Sequence, residues 1–96
     1  MEIISDLNFE DVFCSKGRVK IIRILSKMNE MNISEIIKQT HLNHNDVKKH
    51  LNFLVKINFI QEKNFGRIHI YRFKEENYKA KAVKNLIAFW ENENDN

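Results

Sequence analysis

The side chains best suited to recognition chemistry gather in one stretch, residues 43–56. His44, Asn45, Lys48, Lys49, Asn52 and Lys56 all fall there. An asparagine amide matches the donor and acceptor on an adenine edge. Histidine and lysine donate to purine acceptors in a major groove, and lysine also meets phosphates. The same stretch spaces Val47, Leu51 and Leu54 at i, i+4 and i+7, so as a helix it buries one stripe and presents these polar groups on its other faces. The plainer alternative is a solvated helix face. N-terminal residues of a groove-reading helix approach the bases. Asn45 and Lys49 are therefore the candidates for base edges, and Lys48 and Lys56 for phosphates. Asp46 would repel phosphate; it sits where a capping-box acid serves a helix capped by Asn43.

Other chemistries find less support. His41, His44, His50 and His69 invite a metal reading, but no acid or cysteine completes a ligand set, so no metal site is expected. His50, beside Leu51, reads as a packed, hydrogen-bonded residue. Cys14, the one cysteine, reads as a small buried hydrophobe, excludes an internal disulfide and fits a reducing cytoplasm. There is no nucleophile with a base and an orienting partner, no glycine-rich phosphate loop and no carboxylate pair. Neither an enzyme nor a cofactor is expected.

Charge points the same way. The formal net charge is +3, but the acids crowd the ends, and residues 14–90 hold 16 bases against six acids, a net of +10. A basic body suits a polyanionic partner, although lysine-rich surfaces also serve solubility. No run of 18 apolar residues suggests a membrane span. Residues 1–6, without a basic region or a long apolar stretch, do not read as a signal peptide. Apolar residues at 43% argue for a folded chain, read as one domain over 1–96.

The elements that must position these groups follow from caps and periodicity. Leu7, Phe9, Val12 and Phe13 suggest a first helix within residues 1–14. Ser15 looks like the cap of a long helix over 16–29, with Val19, Ile22, Leu25 and Met28 on one stripe, widened by Ile21 and Ile24. Met31-Asn32-Ile33 reads as a short strand leading to a cap at Ser34 and a short helix from Glu35 to His41. A tight turn at Leu42 leads into the Asn43-capped helix, which Asn58 stops. Residues 59–64 and 68–73, rich in β-branched and aromatic types, flank Asn64-Phe65-Gly66-Arg67 and form a hairpin. A last helix over 75–91 carries Tyr78, Ala82, Leu86 and Phe89 on one stripe with Val83, Ile87 and Trp90 beside it. That apolar surface exceeds what one small core needs. Residues 92–96 make a polar tail.

Helix, helix, short strand, helix, helix, hairpin, helix resembles the winged helix-turn-helix regulators of the ArsR type, of archaeal or archaeal-viral kind, with MarR-type regulators as near relatives. Three stretches carry the likeness. Gly17-Arg18-Val19-Lys20-Ile21-Ile22-Arg23-Ile24-Leu25 is similar to the family's helix that opens on an arginine. Residues 42–54, with Leu42, Val47, His50-Leu51 and Leu54, resemble its recognition helix. Residues 66–73, from Gly66-Arg67 to Tyr71-Arg72-Phe73, resemble the second wing strand. Metal-sensing members place cysteines in the first helix of the motif; here Glu35–His41 has none.

The resemblance implies an α+β, mainly α fold, with a winged helix-turn-helix core over 15–73, a two-stranded wing and a C-terminal dimerisation helix. It implies a homodimer on double-stranded DNA, with recognition helices in successive major grooves. Arg67 at the hairpin turn is the wing's candidate for a minor groove or a phosphate, with Lys63 and Asn64 as weaker partners. Arg18, with Lys16, is placed against phosphates at a helix start. Tyr78, Ala82, Leu86, Phe89 and Trp90 are the candidate dimer contacts. Two alternatives stand beside this: a sequence-tolerant architectural DNA binder, and a winged helix devoted to protein contacts.

Overall fold

The computed structural model describes residues 8–92. Its elements run α1 (Phe9–Val12), α2 (Lys16–Met28), β1 (Glu30–Asn32), α3 (Ile33–Thr40), α4 (His44–Lys56), β2 (Ile60–Phe65), β3 (Ile68–Phe73) and α5 (Tyr78–Asn92). The expected first helix began earlier; its residues before Asn8, and the tail beyond Asn92, lie outside the described residues.

Caps set most boundaries. The Ser15 hydroxyl accepts the Arg18 amide at 3.0 Å and opens α2. Asn29, at φ 72°, closes it. The α3 start is a correction: its cap is Asn32, not Ser34. The Asn32 side chain accepts the Glu35 amide at 2.9 Å, and the Glu35 carboxylate accepts the Asn32 amide at 3.0 Å. This reciprocal box satisfies two orphan donors, whereas Ser34 lies inside the helix. Asn43 accepts the Asp46 amide at 2.8 Å and opens α4. α4 ends in a Schellman arrangement: Asn58 at φ 69° donates to the Val55 carbonyl, and Phe59 to that of Leu54. Asn77 accepts the Lys79 and Ala80 amides, so α5 begins at Tyr78, three residues later than the expected start at 75.

The strands form one antiparallel sheet in the order β1-β3-β2. The expected two-stranded wing is β2–β3, and β1 pairs Met31 with Tyr71 on its far side. Alternation divides the sheet. Ile60, Tyr71, Phe73 and Met31 are buried on one face, while Gln61, Lys63, Phe65, Ile68, Ile70 and Arg72 belong to the other by register. The Tyr71 phenol donates to Glu62 at 3.1 Å. Burial, then the Glu62 charge, pushes its pKa up to about 12.

The core joins α2 (Ile21, Ile22, Leu25), α3 (Ile36), α4 (Val47, Leu51, Leu54) and the sheet. α2 corrects its expected stripe: Val19 and Met28 are exposed, and Ile21 joins Ile22 and Leu25 inside. Cys14 is exposed as well, because it falls on the surface connection between α1 and α2.

Candidate nucleic-acid interface

α3, the turn at residues 41–43 and α4 form the helix-turn-helix. The turn is tied down from both sides. His41 takes the left-handed conformation at φ 62°, and the Thr40 hydroxyl donates to the Ile36 carbonyl and accepts the Leu42 amide. Gly17 of α2 lies against this turn. A Cβ there would meet the Leu42 side chain at 3.2 Å and His50 at 3.4 Å, so the helix start packs closely on the turn.

With Val47, Leu51 and Leu54 fully buried, α4 turns its polar groups outward. His44, Asn45, Lys49, Asn52 and Lys56 are exposed and Lys48 half-buried. The expected recognition residues thus share one helix surface. Charge is partitioned around them. Glu30 pairs with Lys63, Glu76 with Arg72, Glu75 with Lys84, and Glu91 with Arg23 and Lys27. Among the described residues, Lys38, Lys48, Lys49, Lys56 and Arg67 have no acidic partner. Lys16 and Lys20 of α2, Lys74 and Lys79 also stand outside these pairs, so unpaired cations are spread over the surface, and α3, α4 and the wing tip hold five of them.

The hairpin turn is Gly66-Arg67. Gly66 has φ 63° and Arg67 is not left-handed, the pattern of a type II′ turn with glycine first. Arg67 is exposed at the tip. Asn64 is tied across the hairpin to His69 at 2.6 Å, and the Lys63 ammonium lies 2.8 Å from Glu30. These two anchor the wing and leave Arg67 as its free cation.

Arg18 is a second correction. It is 9% exposed, and its guanidinium turns inward instead of toward a phosphate. Nε donates to His50 Nδ1 at 3.2 Å, one terminal nitrogen donates to the Asp11 carbonyl, and the plane lies 3.8 Å over the Phe53 ring. One side chain thereby ties α1 to α4. His50 serves as the acceptor in its neutral form. Burial first, then Arg18, holds its pKa below the usual histidine value. Nothing in the local sequence separates such a staple from a surface arginine; its burial is a tertiary event.

The helix-turn-helix followed by a β-hairpin defines a winged helix-turn-helix protein. The model for bacterial regulatory proteins of the arsR family matches residues 15–62, half of the chain, and the chain belongs to that family. Solved structures share the fold. HlyU from Vibrio cholerae is 18% identical with a TM-score of 0.72, over 83% of this chain and 84% of that one. The repressor BigR from Xylella fastidiosa is 16% identical with a TM-score of 0.70, over 82% and 78%. The transcriptional repressor PagR of Bacillus anthracis is 22% identical with a TM-score of 0.67, over 80% and 85%. No curated protein sequence matches the chain. Among the described residues there is no cluster of potential metal ligands and no helix long and apolar enough to cross a membrane.

Proposed function

We propose that this chain is a sequence-specific double-stranded DNA-binding transcriptional regulator acting as a homodimer in the cytoplasm, and that it is not an enzyme. The observation that carries the reading is the exposed surface of α4. His44, Asn45, Lys49 and Asn52 stand on a helix whose opposite side is locked into the core, with uncompensated cations on either flank. On this reading Asn45 and Lys49 read base edges, Lys48 and Lys56 hold phosphates, and Arg67 reaches the backbone or minor groove. Residues 1–96 act as one domain.

The dimer reading draws on α5. Tyr78 is 91% exposed and Trp90 70%, with Ala82, Leu86 and Phe89 also in solvent. Ala82 and Val83 border an apolar groove closed by Phe9, Val12, Phe13 and Phe59. Covering one large apolar side chain gains about 2 kcal/mol, so several together hold two chains at working concentrations.

Selection from random duplexes followed by footprinting tests the proposal. A specific dimer protects a bounded pseudo-palindrome with half-sites about one helical turn apart. Uniform protection would make it an architectural binder, and no shifted duplex would leave the protein-contact alternative.

A further inference from the structure

The wing tip carries apolar side chains that neither the core nor its cations explain. Phe65 and Ile68 are cross-strand partners flanking Gly66-Arg67, and they remain 60% and 54% exposed. Both lie on the sheet face turned away from the core. β2 is an edge strand, where exposed apolar residues invite aggregation unless a partner uses them. We propose that Phe65 and Ile68 form an apolar wedge that enters the minor groove beside Arg67 and bends the duplex. This rests on the DNA-binding reading above and adds to it a shape-dependent contact.

Three observations commit the surface to DNA. The tip, residues 63–69, holds no acid, and with Lys63 held by Glu30 and His69 beside Glu62 its unpaired cation is Arg67, a charge that suits phosphate-lined walls. The turn is only two residues long, so side chains at the tip, not the whole hairpin, would enter a groove of about 6 Å. Reach agrees as well. Five strand steps from buried Ile60 to Phe65, at about 3.3 Å each, carry the tip roughly 17 Å from the core. The neighbouring minor groove lies about half of a ~34 Å turn from the major groove that α4 would occupy. Apolar side chains pushed between base steps unstack them and kink the duplex.

The test compares the full chain with Phe65→Ser/Ile68→Thr and with Phe65→Leu on a selected duplex, by anisotropy titration in salt and by end-to-end energy transfer across the site. The double variant should lose affinity on the order of tenfold and straighten the DNA. Its salt slope should stay unchanged, because no cation is removed. Phe65→Leu should keep both affinity and bend. A double variant that binds and bends like the wild type overturns the wedge and leaves the DNA-binding reading standing. A double variant that alters the chain's own solution mass while leaving the bend intact also overturns it, assigning the patch to a second copy. A wild type that binds no duplex overturns both readings at once.

Discussion

Arg18 and His50 show how differently one residue reads alone and in place. In sequence Arg18 is a base at a helix start, which suits a phosphate. In the fold it is enclosed by the Asp11 carbonyl, His50 and the Phe53 ring. Arg18→Ala would leave His50 Nδ1 and the Asp11 carbonyl without their donor and open a void. Urea unfolding should show a loss of about 2–3 kcal/mol, while the salt slope of duplex binding stays as it was. A variant of normal stability with a shallower slope would return Arg18 to the DNA surface. His50 adds a pH dependence. Its folded-state pKa lies below the ordinary 6.5, so below about pH 6.5 the unfolded chain takes a proton that the folded chain resists. Stability should therefore fall as pH drops through that value. His50→Gln keeps an acceptor for Arg18 without titrating. The difference between urea midpoints at about pH 7.5 and 5.5 should narrow in this variant; an unchanged difference would remove His50 as a cause.

At the scale of elements, α4 was the most legible. Asn43, the Val47-Leu51-Leu54 stripe and Asn58 are short-range signals, and each acts as its type predicts. Asn43→Ala should cost about 1 kcal/mol in thermal or urea unfolding; no loss would show the cap to be replaceable. At the start of α3, Asn32 and Ser34 are both residues that cap well. The choice falls to Asn32, where Glu35 can answer it and where the pairing of β1 with β3 ends. The α2 stripe differs from expectation for a related reason. So many of its residues are apolar that helical periodicity permits more than one buried face, and only the neighbours select Ile21 over Val19. α5 offers an apolar face that its own chain leaves uncovered. Leu86→Ser together with Trp90→Ser should move the mass in light scattering toward the 11.6 kDa of one chain, and a wild type already at that mass at micromolar concentration would remove the dimer.

For the whole molecule, the organising feature is the division of charge and apolar surface between two regions. α4 and the wing tip hold unpaired cations, Arg72 and Lys84 are held by Glu76 and Glu75, and α5 exposes aromatic side chains. Order and type of elements were readable from caps and periods. What covers each surface was not, since that depends on distant segments meeting; exposed Cys14 and enclosed Arg18 are the plainest cases. The division of labour has a direct consequence in salt. Lys49 and Arg67 lie on separate elements, and each is assigned to the nucleic acid, so removing both should weaken binding without loosening the fold. The decisive measurement is a salt titration of duplex affinity for the wild type and Lys49→Ala/Arg67→Ala. The double variant should bind more weakly, with a log–log slope shallower by about two units if both meet phosphates and about one if only one does. Equal affinity and equal slope would contradict the placement of α4 and the wing on DNA.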